Sequence, residues 1–442
     1  MPVPIVQHII AEGIGNVPYV YTVLKTLPWL VALYLLKVYF GGASNTSERN
    51  MHSKVVMVTG GTSGIGQEVV RGLASRGAQI ILLTQHPLND PFLVDYIEDL
   101  RTSTSNELIT AERVDLESLH SIRTFATKWI DNAPPRRLDM VVLCANTLTP
   151  RGSKIQVTTD EVELNWGLNY LANFHLLSIL SPALRAQPPD RDVRIIFSTC
   201  SSYMGGQLPD FPATSASPEK SSGANGSVTK PPKVAKPTKQ SKAQTSPVTE
   251  TTTTFSTSQA YATSKLALTT FALSFQKHLS SYHRPDKQQP NTRVILVDPG
   301  WTRTPGMRRY LTWGSLTGLF LYLIMYPFWW FVLKSPQQGA QSFLFAAMEA
   351  AFGRGEGGWL IKEVREVTLA RADVMDESVQ KQLWEYSEGM VQEAEKRGAI
   401  KRALAKKEEE EREKDEKARR EREAKKEEAE KKAGSRRSRK AG

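Results

Sequence analysis

The chain has 442 residues, a formal net charge of +11 and only two cysteines, Cys144 and Cys200. Two thiols cannot build a multi-bridge disulfide framework or a four-cysteine zinc site, so a stapled secreted scaffold is excluded and a cytosol-facing fold is expected. Much of the basic excess falls in a low-complexity insert and at the extreme C-terminus, where no interleaved aromatics offer a stacking platform, so no nucleic-acid partner is inferred.

After an N-terminal segment (1–16), residues 17–40 are apolar and aromatic over roughly the length of a bilayer crossing, interrupted by Lys25, Pro28 and Lys37. No basic stretch precedes them and no small-residue cleavage site follows, so an uncleaved membrane anchor is expected rather than a signal peptide. An amphipathic helix lying on the domain is the alternative. Lys37, Arg49 and Lys54 lie at or beyond the far end of the segment, which places the following domain on the cytosolic side.

From Lys54 the texture changes to short apolar runs separated by helix-length amphipathic stretches. Val55 to Val58, Ile80 to Leu83, Met140 to Leu143, Ile195 to Phe197 and Val294 to Val297 lack the alternation of half-exposed strands, and so predict buried strands. The fold class is therefore α/β: a Rossmann-like, doubly wound parallel sheet with helices on both faces, over 54–390. Within it, 213–259 is rich in Ser, Thr, Pro, Lys, Ala and Gly and reads as a disordered insert. Residues 311–333 form a second apolar and aromatic patch, either a membrane contact or a lid helix packed on the domain. The tail, 391–442, is dominated by Lys, Glu and Arg and reads as a solvated helix or disorder, with no sustained apolar seam for a coiled coil.

The first strand runs into Gly60-Gly61-Thr62-Ser63-Gly64-Ile65-Gly66 and then into a helical stretch. Glycines there allow a tight turn and close approach to a pyrophosphate, and the helix N-terminus favours the anion, so this order predicts dinucleotide binding. The second strand ends in Leu83-Thr84-Gln85-His86, without the carboxylate that would grip the ribose of NAD; with His86 as the nearest potential cation, NADP(H) is preferred over NAD(H). Tyr261 and Lys265 stand four apart in a helical segment and share a face. An ammonium beside a phenol lowers the phenol's pKa and fits it for proton transfer near neutrality.

Over 54–390 these features resemble the short-chain dehydrogenase/reductase family, and within it the membrane-bound retinol-dehydrogenase-like branch. The stretch Thr59 to Gly66 looks like the family's cofactor loop, Asp115-Leu116 like its adenine-contacting segment, and Gly167 to Leu177 like the segment whose asparagine, here Asn169, maintains a proton relay. Tyr261 and Lys265 match the catalytic pair. Pro299-Gly300 with Thr304 matches the loop that holds the carboxamide, and Ser335 to Gln341 resembles a helix start of the branch, Ser before Pro being a sound cap.

Two departures stand out. Where the family has Asn-Asn-Ala-Gly, this chain has Leu143-Cys144-Ala145-Asn146. Ungapped alignment puts Cys200 at the catalytic serine's place, between Thr199 and Ser201, and a one-residue shift makes Ser201 the donor that polarises the substrate oxygen, in preference to Thr199. The resemblance implies carbonyl–alcohol interconversion, and the apolar segments beside the expected substrate mouth suggest a lipophilic substrate such as a sterol, retinoid or fatty acyl derivative. It also implies a membrane partner, a homo-oligomer as an allowed assembly, no metal, and residence at the endoplasmic reticulum or a lipid droplet. The alternative is a catalytically weakened descendant acting as a nucleotide-binding membrane scaffold.

Overall fold

The computed structural model describes residues 20–132, 134–150, 153–209, 211 and 259–438. Apart from Gln259, the expected insert lies outside them, as does the N-terminal segment.

The first described element is α1 (Val20–Gly41), a 22-residue helix long and apolar enough to cross a membrane and exposed along most of its length. An α/β series follows: β1 (Val55–Thr59), α2 (Gly64–Ala74), β2 (Gln79–Thr84), α3 (Pro91–Thr104), β3 (Ile109–Arg113), α4 (Leu119–Ile130) and β4 (Met140–Leu143). Next come a helical turn (Leu164–Trp166) and a π-helical segment (Gly167–Leu171) leading into α5 (Ala172–Arg185), then β5 (Val193–Ser198), α6 (Ala260–Ser280) and β6 (Thr292–Asp298). Three short helices, α7 (Pro305–Leu311), α8 (Leu316–Ile324) and α9 (Tyr326–Val332), precede α10 (Pro336–Met348), β7 (Trp359–Lys362), β8 (Arg365–Val367) and α11 (Glu377–Ser438).

The strands form one sheet in the order β3-β2-β1-β4-β5-β6-β7-β8, parallel throughout except for the antiparallel β7–β8 pair. This is the doubly wound Rossmann-like arrangement that the apolar runs predict, and all five of those runs are strands (β1, β2, β4, β5 and β6). Side chains alternate across the sheet with period two. Val56, Val58, Ile80, Leu82, Val142, Ile196 and Val297 pack with Val69, Val70 and Leu73 of α2 and Phe343, Leu344 and Ala347 of α10. On the opposite face Phe197 meets Phe271 of α6, within an aromatic cluster that includes Tyr170, Phe174 and Trp384. Burying an aromatic of this kind contributes about 1.5–3 kcal/mol, and such a cluster fixes α5 and α6 firmly on the sheet.

The end of β6 opens an excursion that returns to its starting point. Thr302 pairs with Lys334 in an isolated bridge, Arg303 N donates to Lys334 O (2.8 Å) and Lys334 N donates to Trp301 O (2.9 Å), so α7–α9 leave and rejoin the domain at one place. Lys37 of α1 donates to the carbonyls of Trp330 (2.6 Å) and Phe331 (3.2 Å) at the end of α9, and Phe40 meets the Phe331 ring edge-on. The two apolar segments of the sequence therefore meet. Leu316, Phe320, Leu323, Ile324, Phe328 and Trp330 nevertheless remain largely exposed, so this excursion does not fold down as a buried lid.

Residues up to Ser387 make one compact unit and Glu388 onward a second. The second unit is helical, with exposed i,i+4 pairs such as Lys406–Glu410 and Arg420–Glu416 that support a solvated helix.

Candidate active site

In a doubly wound sheet, loops gather at the carboxyl ends of the parallel strands, and ligands bind in the crevice they form. Loops after the strands carry most of the residues singled out in the sequence, while the π-helical segment carries Asn169 and α6 carries Tyr261 and Lys265.

At the end of β1, Gly60 turns with φ of +67°, and a Cβ there would lie 2.6 Å from the backbone nitrogen of Ala145 after β4. A Cβ on Gly66, in the first turn of α2, would lie 2.1 Å from the Gly60 carbonyl oxygen. Both positions demand glycine because backbone lies where a side chain would go. Ser63 sits at the N-cap of α2 without capping it through its side chain, leaving first-turn N–H groups available to an anion. Thr62 and Ser63 are partly or fully exposed on the loop, and Ile65 packs against the core beneath it. Gly64 faces the Thr304 side chain, about one van der Waals contact away, so the loop after β6 meets the glycine loop. Gly300 turns with φ of +73° after Pro299, its N–H held by Asp298 (2.9 Å), and Thr304 caps α7 by accepting from Met307 N (3.2 Å). A cradle that a Cβ would fill and a bare helix N-terminus fit the pyrophosphate of a nicotinamide dinucleotide.

Asp115 follows β3 beside the end of β2, since Val114 N donates to Thr84 O; its carboxylate accepts from Glu117 N (2.9 Å). His86, after β2, has Nδ1 3.0 Å from an Asp90 carboxylate oxygen, while the other Asp90 oxygen caps α3 by accepting from Phe92 N. An acid does therefore stand near the end of β2. It is four residues beyond His86, and its two oxygens are engaged by its own helix and by His86.

Tyr261 and Lys265 lie on the first turns of α6. Lys265 is fully buried, and its Nζ donates to the Ser198 carbonyl (2.9 Å) and lies 5.7 Å from the centre of the Tyr261 ring. The Tyr261 hydroxyl oxygen receives two donors, Nδ2 of Asn146 (3.1 Å) and the thiol of Cys200 (3.5 Å). Burial first, then the neighbouring Cys200, push the phenol well above its ordinary pKa, while the hydrogen bond from Asn146 opposes them. The expectation that Lys265 depresses this phenol is thus corrected: desolvation outweighs it here, and burial lowers the lysine's own pKa.

The three candidates for the serine position have different partners. Thr199 is buried and bonds Thr269 (3.0 Å), away from Tyr261, whereas the Ser201 hydroxyl donates to Asp298 and accepts from Lys362 Nζ (2.9 Å). Cys200 is the member of the trio beside Tyr261, as ungapped alignment has it, because the strand continues in register to its end. Cys144, next to the glycine loop, has its thiol pushed up to about 12 by burial and takes no part as a thiolate.

Asn169 is buried within the π-helical segment, where π-bulges commonly mark functional sites. Its Oδ1 accepts from Thr147 N (2.7 Å), and its Nδ2 donates to Thr147 O (2.9 Å) and Ser264 Oγ (3.2 Å). Ser264 in turn donates to the Tyr261 carbonyl (2.8 Å). Asn169 therefore ties the loop after β4 to the catalytic helix, and its side chain is committed to that bracing. The sequence reading missed Asn146, Asp298 and Lys362; of these only Asn146 left a signal, as the residue replacing the expected glycine.

A family model described as short chain dehydrogenase matches residues 54–217. The chain is 40% identical over 403 residues to the uncharacterized oxidoreductase pbr1 of Schizosaccharomyces pombe, covering 90% of this chain and 97% of that protein. It is 33% identical over 421 residues to the uncharacterized oxidoreductase YNL181W of Saccharomyces cerevisiae, covering 91% and 94% of the two chains. Against retinol dehydrogenase 13 of Mus musculus it is 29% identical over 357 residues, covering 81% and 89%.

Proposed function

The chain is an oxidoreductase of the short-chain dehydrogenase family, acting between alcohol and carbonyl with a nicotinamide cofactor, and on that basis we propose that it is a membrane-anchored, NADP(H)-dependent enzyme for a lipophilic substrate. The observation that carries this reading is the convergence on one sheet edge of the glycine cradle, the Tyr261 hydroxyl and the start of an excursion bearing exposed apolar side chains.

Gly60, Gly64 and Gly66 would seat the pyrophosphate at the N-terminus of α2, with Thr62, Ser63 and Ile65 completing the loop; Asp115 would serve the adenine end, and Pro299, Gly300 and Thr304 would hold the carboxamide. When bound, the nicotinamide supplies the hydride that goes to the carbonyl carbon. Tyr261 delivers the proton to the carbonyl oxygen and recovers it from solvent; Lys265 holds the ribose beside it. Asn169 keeps the loop after β4 and helix α6 in register. NADP(H) is preferred to NAD(H) because the end of β2 carries no carboxylate of its own and Asp90 is committed to capping α3 and to His86.

The anchor reading rests on α1, and the lipophilic substrate on the exposed apolar faces of α8 and α9, which meet the end of α1. A bilayer-facing excursion beside the site gives a lipid-soluble carbonyl a short route to Tyr261. Endoplasmic reticulum or lipid droplet, with the catalytic unit on the cytosolic side, is the proposed location.

The test is oxidation of NADPH and of NADH by membranes carrying the chain, across sterol ketones, retinal, long-chain acyl aldehydes and, for contrast, small water-soluble carbonyls. Faster turnover of a lipophilic member with NADPH is expected. Turnover confined to the water-soluble compounds overturns the substrate class, and a preference for NADH overturns the cofactor assignment.

A further inference from the structure

Asn146 stands on a loop that is held on both sides. Ala145 N donates to Thr59 Oγ1 (3.3 Å), while Thr147 N and O are both taken by Asn169. The backbone of Asn146 is therefore fixed between β1 and the π-helical segment, and its exposed side chain reaches the Tyr261 hydroxyl, while the Lys265 ammonium is turned to Ser198.

The direction of this bond matters. An amide N–H donates into a lone pair of the phenol oxygen, so the phenol's own proton remains free for a substrate oxygen. As Tyr261 gives up that proton its oxygen gains charge, and a donor already aimed at it binds the phenolate more tightly than the phenol. The Cys200 sulfur lies 3.5 Å from the same oxygen, but it is also engaged by Ser202 Oγ at 2.7 Å and pushes the phenol's pKa up, so it does not stabilise the phenolate. The hydroxyl neighbours of Cys200 do not help: Thr199 and Ser201 are bonded to Thr269, Asp298 and Lys362.

Resting on the reading of Tyr261 as the proton donor, we propose that Asn146 is a further catalytic residue, whose side-chain amide stabilises the phenolate that Tyr261 becomes. In the reducing direction the proton leaves Tyr261 for the carbonyl oxygen as hydride from the bound nicotinamide reaches the carbon, and the phenolate is reprotonated from solvent. Asn146 exchanges no proton; it acts by charge stabilisation alone.

The experiment compares wild type with Asn146→Leu, which keeps the volume and removes the donor, Cys200→Ala, and the double variant Asn146→Leu with Cys200→Ser. Turnover is read against pH together with the KM for NADPH, and the Tyr261 ring carbon bearing oxygen is followed by 13C resonance at neutral pH, assigned by its disappearance in Tyr261→Phe. Asn146→Leu is expected to lower kcat tenfold or more with the KM for NADPH unchanged, to move the limb belonging to Tyr261 to higher pH, and to shift the Tyr261 resonance. Cys200→Ala is expected to cost less, and the hydroxyl of the double variant to restore part of the loss. Wild-type turnover with Asn146→Leu within twofold of it, or an unmoved resonance, overturns the role of Asn146 and leaves the parent reading intact. Wild-type activity unaffected by Tyr261→Phe overturns that parent reading and this proposal with it.

Discussion

At Gly66 the cofactor loop has no latitude, because a methyl group would sit 2.1 Å from the Gly60 carbonyl, and neither backbone is free to move. Gly66→Ala is therefore expected to abolish dinucleotide binding in a fluorescence titration and to destabilise the fold by about 1–3 kcal/mol, the usual range for overpacking. Binding retained at wild-type strength would show that the pyrophosphate seat lies elsewhere. The loop, Tyr261 and Lys265 were legible in the sequence because their chemistry needs fixed residue types at fixed spacing. The serine position was harder to read, since three consecutive polar residues leave a strand end and only the register decides which side chain meets Tyr261. That residue is Cys200, and Ser201 instead bonds Asp298 and Lys362. Asn146 was visible as a departure from the family pattern, but its use depends on a partner 115 residues away, which no local pattern reveals.

Helix α5 buries His175, and burial, helped by Arg123, lowers the imidazole from its ordinary 6.5 to about 4. The folded state therefore holds this ring neutral while the unfolded chain protonates below pH 6.5, so its stabilising contribution is complete above that pH and is lost as pH falls toward 4. Between pH 7.5 and 5 the expected loss is roughly 2 kcal/mol in urea unfolding, and His175→Gln is expected to remove most of that dependence. A wild-type stability flat across this interval would contradict the assignment. At the start of α10, Ser335 and Gln338 form a reciprocal capping box. Ser335→Ala is expected to cost about 1 kcal/mol in the same assay, with α10 losing its hold on α2. The five long apolar strands were legible because both faces of a parallel sheet are buried. Strand β3 escaped notice because it lies at an edge with a mostly polar, half-exposed sequence, β7 because only its two central residues are buried, and β8 because its three residues are all exposed.

At the scale of the molecule, the two apolar segments of the sequence are separated by some 270 residues and meet through Lys37, Phe40, Trp330 and Phe331. Composition showed each segment separately and left the second open between membrane contact and packed lid; Leu316, Phe320 and Ile324 are exposed, as a membrane contact requires. If both segments engage lipid, deleting residues 1–41 should leave part of the protein on membranes at low salt. Adding Phe320→Glu and Ile324→Glu should then release it to the supernatant, as measured by sedimentation. Full release by the deletion alone would assign the membrane contact to α1.

The central claim is that Tyr261 is the proton donor of a nicotinamide-dependent oxidoreductase, and it is tested most directly by comparing Tyr261→Phe with wild type at matched cofactor occupancy. The account predicts that the variant binds NADPH as the wild type does and loses at least a hundredfold in turnover, within the range general acid–base catalysis contributes. Turnover within a few fold of wild type, with the cofactor bound equally, would contradict it.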